Sequence, residues 1–226
     1  MSERDDFLAA VTSNDAATVE RLLAIDPELA ASRDANGVSV LLLALYHGHA
    51  ALAESLRARR AALDLFEATA FGDRERLTAL LDEDPTRAGA FSPDGFPLLT
   101  LAAFFGRPEA LALLLARGAD PDVAAVNPMR VAAVHAAAAH RDGAVALAMM
   151  RLLLERGARV NVAQQGGWTP LHQAARHGPA ELVELLLVHD ADLGARSDDG
   201  QTPLALAEAA GQQSIAALLR ASGATA

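Results

Sequence analysis

The chain has 226 residues, of which 52% are hydrophobic and 21% charged, with no cysteine and a formal net charge of −10. The apolar content is ample for folding, and the absence of cysteine excludes disulfides, thiol chemistry and thiolate metal sites. The acidic balance argues against phosphate backbones and anionic lipids as partners.

The chain opens acidic and polar, from Glu3 to Asp6, without the basic start and apolar run of a secretory signal. No stretch approaches the roughly 20 apolar residues of a membrane span. These features lead to the expectation of a cytoplasmic protein. Alanine and leucine, both strong helix formers, dominate, and the scarcity of β-branched and aromatic residues argues against extended sheet.

In chain order, small-residue helices each end at a turn residue: Asn14, Gly48, Gly72, Gly106, Gly178 and Gly211. A leucine-rich second helix follows most of them, carrying Leu22–Leu23, Leu80–Leu81, Leu113–Leu115, Leu185–Leu187 or Leu218–Leu219, and Leu152–Leu154 marks a further one. Asp26–Pro27 and Asp84–Pro85 end second helices in a common register, because proline disfavours helical geometry in the residue before it. Asn36–Gly37, Asp94–Gly95, Gly166–Gly167 and Asp199–Gly200 mark turns at hairpin tips. The clearest copies are G-W-T-P-L-H-Q-A-A at Gly167–Ala175 and G-Q-T-P-L-A-L-A-E at Gly200–Glu208, 33 residues apart. In them Thr169 and Thr202 are expected to cap a helix whose first turn holds Pro170 or Pro203.

A period near 33 with T-P-L-H at its head is the mark of a helix-pair solenoid. The expected architecture is all-α, a single domain over residues 1–226, with units near 5–37, 38–60, 61–94, 95–128, 129–166, 167–199 and 200–223. Two units are irregular. The second is short, and its outer helix, Ala50 to Arg60, is expected to run straight into the next inner helix. The fifth is long, its turn lengthened at His140–Val145, with the insertion Arg141–Ala144 expected to protrude at one edge. Arg57, Arg59 and Arg60 read as a solvated helix end, where cations suit the dipole.

These motifs resemble the ankyrin-repeat family over roughly residues 5–223, most specifically in the two T-P-L units. The resemblance implies a β-turn and two antiparallel helices per unit, with inner helices and hairpin tips lining a concave face. It also implies a protein-binding role without catalysis or cofactor. Only His172 has the full T-P-L-H setting, and His135 follows A-A-V. Counted from the mid-unit glycine or its Asn14 counterpart, Leu8, Leu42, Phe66, Thr100 and Ala205 hold the same register, so a hairpin-bracing hydrogen bond is expected to be missing there.

The two residues before each mid-unit turn are expected to face the groove. They include Tyr46, His47, Phe71, Phe104, Phe105, His140, Arg176 and His177, with Trp168 beside a hairpin tip. Aromatic residues make up only 4% of the chain, so their gathering over units two to four points to a protein-binding hot spot. The competing reading is that these rings pack between neighbouring inner helices. Asp34, Asp94, Asp198 and Asp199 form an acidic rim of hairpin tips, or are simply good turn formers.

No nucleophile elbow, P-loop, H-E-x-x-H or dinucleotide fingerprint is present. His47 and His49, two apart at a helix end, are expected not to share a face, which argues against a metal site. The expected partner is therefore an unidentified protein, not nucleic acid or membrane, bound by a monomer. A regulatory or inhibitory subunit capping a folded enzyme is the first alternative, and a self-associating structural protein the second.

Overall fold

A computed structural model describes residues 2–225. It is an all-α solenoid of stacked helix pairs. Inner helices are α1 (Glu3–Thr12), α3 (Val40–Tyr46), α5 (Leu65–Phe71), α7 (Leu98–Phe104), α9 (Ala133–Ala138), α11 (Pro170–His177) and α13 (Pro203–Ala209). Each pairs with the outer helix that comes after it: α2 (Ala16–Ile25), α4 (Ala50–Arg57), α6 (Arg74–Glu83), α8 (Pro108–Ala116), α10 (Gly143–Glu155), α12 (Ala180–Val188) and α14 (Gln213–Ala221).

Burial explains the stacking. Leu22, Leu80, Leu81, Leu111, Leu114, Leu153, Leu182, Leu186 and Leu219 on the outer helices are buried against alanine-rich inner helices. Each such leucine contributes about 2 kcal/mol of burial free energy. The small alanines at the inner positions let neighbouring units approach closely, so the core runs without a break along the stack.

The turn between paired helices needs a left-handed residue. Gly48, Gly72, Gly106 and Gly211 have φ between 63° and 76°, and Asn14 has φ 60°. The residue after this turn reaches back to the preceding unit. Arg107 Nε donates to the Ala70 carbonyl at 2.8 Å, His49 Nε2 bonds the Thr12 carbonyl at 3.0 Å, and Gln212 Nε2 donates to the Arg176 carbonyl at 3.4 Å. Gly178 departs from the pattern: its φ is −79°, because Pro179 comes next and carries the chain extended into α12.

The proline boundaries behave as expected, with one addition. Pro27 and Pro85 each open a short 3-10 helix, Pro27–Ala31 and Pro85–Gly89, capped by Asp26 and Asp84. Hairpins then return the chain, with single antiparallel bridges at Arg33–Ser39, Phe91–Pro97 and Ala124–Ala132. Their tips are tied in sequence by backbone bonds: Val126 N to Gly95 O, Gln165 N to Met129 O, and Asp198 N to Gly166 O.

Several expectations are corrected. The second outer helix ends at Arg57, not Arg60, and Ala58–Asp64 forms a short connector without a hairpin. With that hairpin gone, the tip at Gly37 lies against Pro93 of the next hairpin along; a Cβ on Gly37 would sit 3.3 Å from Pro93 Cβ. The residues inserted after His140 form no protruding loop. Asp142 caps α10 by accepting from Ala144 N and Val145 N, so they add length to a 13-residue helix.

The three arginines at the end of α4 are cross-links rather than a solvated end. Arg57 pairs with Asp73 at 3.0 Å, Arg59 with Glu20 at 2.5 Å, and Arg60 with Glu67 at 3.1 Å. The helix-capping register also shifts in unit three. Glu67, not Phe66, occupies the position three residues after the cap, where its carboxylate accepts from Asp64 N at 2.9 Å. The inner helix α5 starts one residue closer to its glycine than α3 or α7 does, which moves the box by one.

Candidate partner-binding groove

The hairpin brace of His172 is present as expected and is repeated at His135. In each, Nδ1 accepts a backbone N–H three residues upstream, from Thr169 or Ala132, at 3.1 Å. The proton therefore sits on Nε2, which donates to the next hairpin: His172 to Gln201 O at 3.1 Å and His135 to Val162 O at 3.0 Å. Burial holds both imidazoles below the usual histidine range, so both are neutral donors at pH 7. The A-A-V-H setting thus keeps both ring contacts of the brace, while His172 gains a further one, its Nδ1 also accepting from the Thr169 hydroxyl at 2.8 Å.

Where the histidine is missing, the groove floor changes. In unit four the cap is Pro97 and the box residue is Thr100. Proline has no N–H to give, and the Thr100 hydroxyl is buried without a partner. Tyr46 also carries a buried hydroxyl that makes no hydrogen bond of 3.5 Å or less, with the Asp94 carboxylate beside it as an acceptor. Burial and the neighbouring Asp94 carboxylate push that phenol far above its ordinary value, so it stays neutral.

Tyr46 and Thr100, the two residues with orphan hydroxyls among the described residues, line one cavity of about 430 Å³. Its walls come from α7, α9 and neighbouring hairpins, and include Phe96, Phe104, Met129 and His135. Phe104 is 53% exposed and Met129 51%, so the mouth of an apolar cavity is rimmed by apolar side chains that water would otherwise cover.

The aromatic residues divide into separate groups. Tyr46, Phe104 and Phe105 form one cluster, with ring centroids 5.0 to 5.8 Å apart. Tyr46 reaches from the second unit to the fourth over the fully buried Ala70. Phe105 and Tyr46 are half-buried, so the packing and exposed readings each hold for part of the cluster. Phe71 stands apart, half-buried under the Arg57 guanidinium at 5.1 Å. Trp168 makes a third site with Arg176 over its ring at 5.6 Å and His172 at 5.9 Å. Arg176 and His177 are both exposed.

His140 is placed by packing. Its ring lies so close to Gly106 that a Cβ there would meet Nε2 at 2.3 Å, and Nδ1 accepts from Asp142 N at 3.2 Å. His47 is exposed, and contrary to expectation its ring stacks with that of His49, 5.8 Å apart and 15° from parallel. The left-handed Gly48 between them turns the chain so that both side chains emerge on one side. Among the described residues no group of three or more histidines, aspartates or glutamates could hold a metal ion. No described helix is long and apolar enough to cross a membrane.

Of the acidic rim, Asp34 serves its own turn, accepting from Asn36 N and Val38 N. Asp94 alone of the four borders the cavity. Met129, Val131, Gln164 and Gln173 were not among the expected groove residues, although Met129 ends the lengthened loop D-V-A-A-V-N-P-M that the sequence does show.

Comparison with known proteins agrees with this architecture. The profile for ankyrin repeats (3 copies) matches residues 134–226, and that for a single ankyrin repeat matches residues 94–126. The chain is similar to the nuclear factor NF-kappa-B p105 subunit of Mus musculus, 34% identical over 223 residues, covering 91% of this chain and 23% of that protein. The Gallus gallus p105 subunit is 31% identical, covering 91% and 22%. The 2-5A-dependent ribonuclease of Homo sapiens is 48% identical over 64 residues, 28% of this chain and 9% of that protein. The chain thus spans less than a quarter of the length of these relatives. With its stacked helix pairs, tied hairpin tips and histidine braces, the chain belongs to the ankyrin-repeat family, whose members act mainly in protein–protein interaction.

Proposed function

We propose that the chain is a non-catalytic scaffold whose concave groove, over units two to five, binds a peptide or protein partner. The single domain of seven units presents Tyr46, Phe104 and Phe105 at the centre of the contact. His47, Phe71 and His140 flank them, and Trp168, Arg176 and His177 extend the surface toward unit six. The reading includes a monomeric protein of the cytoplasm without a cofactor.

One observation carries it. Of the large apolar side chains that are exposed, Phe91, Phe104, Val126 and Met129 fall on adjacent hairpins and helices, and two of them rim the cavity. A rim of that kind around an apolar hollow is the arrangement of an interface hot spot, where water is excluded around a buried anchor.

The test is capture of partners from the native organism by the immobilised protein and by a Phe104→Ala/Phe105→Ala variant. A partner retained by the first and lost by the folded second supports the groove. Retention by both, with melting lowered in the variant, makes the rings core residues and ends the proposal.

A further inference from the structure

The cavity at the groove centre has a chemistry of its own, and the identity of its occupant rests on the groove reading. Three aromatic residues line it: Tyr46, Phe96 and Phe104. The charged group in its lining is the carboxylate of Asp94; the one titratable base, His135, is neutral, with both ring nitrogens occupied. Tyr46 and Thr100 belong to the same lining, their hydroxyl oxygens themselves buried. Gln164 and Gln173 also line the wall.

We propose that the cavity receives a lysine or arginine side chain of the partner, its alkyl stem lying against Phe104 and Met129 and its cationic head among the Tyr46, Phe96 and Phe104 rings and the Asp94 carboxylate. Two features of this otherwise apolar wall favour a cation carrying several N–H donors. Aromatic faces attract it, and the carboxylate neutralises it and accepts its N–H groups. An anionic side chain is repelled by Asp94. A purely aliphatic one leaves the Asp94 carboxylate without a counter-charge. The net charge of −10 adds steering for a basic segment.

The chain suits a direct test, because all 19 of its basic residues are arginine. Four acetylated and amidated alanine-based dodecapeptides are compared, identical except for one central residue: lysine, arginine, norleucine or glutamate. Binding is read from methyl NMR shifts of Met129, Val131, Ala136 and Ala139. A zero-length carbodiimide then couples the lysine peptide to a carboxylate, and mass spectrometry locates the site.

Saturable shifts with lysine and arginine, at least fivefold tighter than with norleucine or glutamate, together with coupling at Asp94, are the expected result. Asp94→Asn should weaken the lysine and arginine peptides about tenfold and leave norleucine unchanged, with the fold checked by circular dichroism. Equal or tighter binding of norleucine overturns the cation assignment and leaves the groove standing. Absence of pocket shifts with all four peptides also overturns it, and the capture experiment judges the groove separately. Coupling spread over other carboxylates, with none at Asp94, overturns the assignment as well.

Discussion

Arg60 Nη1 donates to Glu67 Oε1 at 3.1 Å, and the Glu67 side chain has no solvent exposure. The other Glu67 oxygen accepts from Asp64 N, and Asp64 in turn pairs with Arg33 at 2.6 Å. Arg60 also reaches the Ala30 carbonyl at 3.3 Å. This network stands where the other units have a returning hairpin. A carboxylate at the box position does for unit three what the imidazole does for units five and six, joining the cap of its own helix to a neighbouring segment.

Glu67→Ala therefore leaves Arg60 without its buried partner and the Asp64 N–H without an acceptor. The expected cost is about 3–5 kcal/mol in urea unfolding. Glu67→Gln retains one acceptor and should lose less. Equal stability of all three proteins shows that the network carries nothing.

Thr100→Val removes an unpaired buried hydroxyl and keeps the shape of the side chain. The variant should be as stable as the parent or gain up to about 1 kcal/mol. A loss above about 1 kcal/mol in urea unfolding means that the hydroxyl has a partner in solution.

Gly106→Ala meets two obstacles: a φ of 63° and a Cβ 2.3 Å from His140 Nε2. It should lose about 2 kcal/mol or more. Adding His140→Ala relieves the collision but not the left-handed backbone. The glycine substitution should thus cost less in the His140→Ala background than in the parent, read as a thermodynamic cycle. Strict additivity rules out the contact.

His135 and His172 have folded-state pKa values below the unfolded value of 6.5. In the window below 6.5 the unfolded chain binds more protons than the folded one. The stability they contribute is full above pH 6.5 and is lost as pH falls through their folded values. Melting temperature should fall between about pH 7.5 and about pH 5, and less steeply in His135→Gln. A parallel decline in both proteins removes His135 from the account.

Phe104→Ala and Phe105→Ala should differ when measured singly. Phe104 is 53% exposed and should cost under about 1 kcal/mol, whereas the half-buried Phe105, packed against Tyr46 at 5.3 Å, should cost about 2 kcal/mol. Reversed costs in chemical denaturation place the rings the other way round.

The helical frame was legible because its signals are local. Gly48, Gly72, Gly106 and Gly211 sit where a left-handed turn is required, and Thr202 accepts from Ala205 N as a cap should. Counting from the glycine failed in unit three, where α5 is displaced by one residue and Glu67 replaces Phe66 in the box. Spacing rules read one chain segment at a time and do not register which carboxylate a distant arginine will meet. His47 and His49 failed for a related reason: helix spacing does not apply across a left-handed glycine.

The candidate groove was legible in part. Tyr46, Phe104 and Phe105 do come together, but Phe71 and Trp168 join different neighbours, and His140 is consumed by packing on Gly106. Sequence alone determined the repeat, the helix pairing and the buried leucines, since each arises from periodicity and turn chemistry within a span of about 33 residues. Only the tertiary structure decided which side chains remain unsatisfied. The orphan hydroxyls of Tyr46 and Thr100 and the cavity beside them depend on contacts among units two to six, and no local pattern encodes a bond that fails to form.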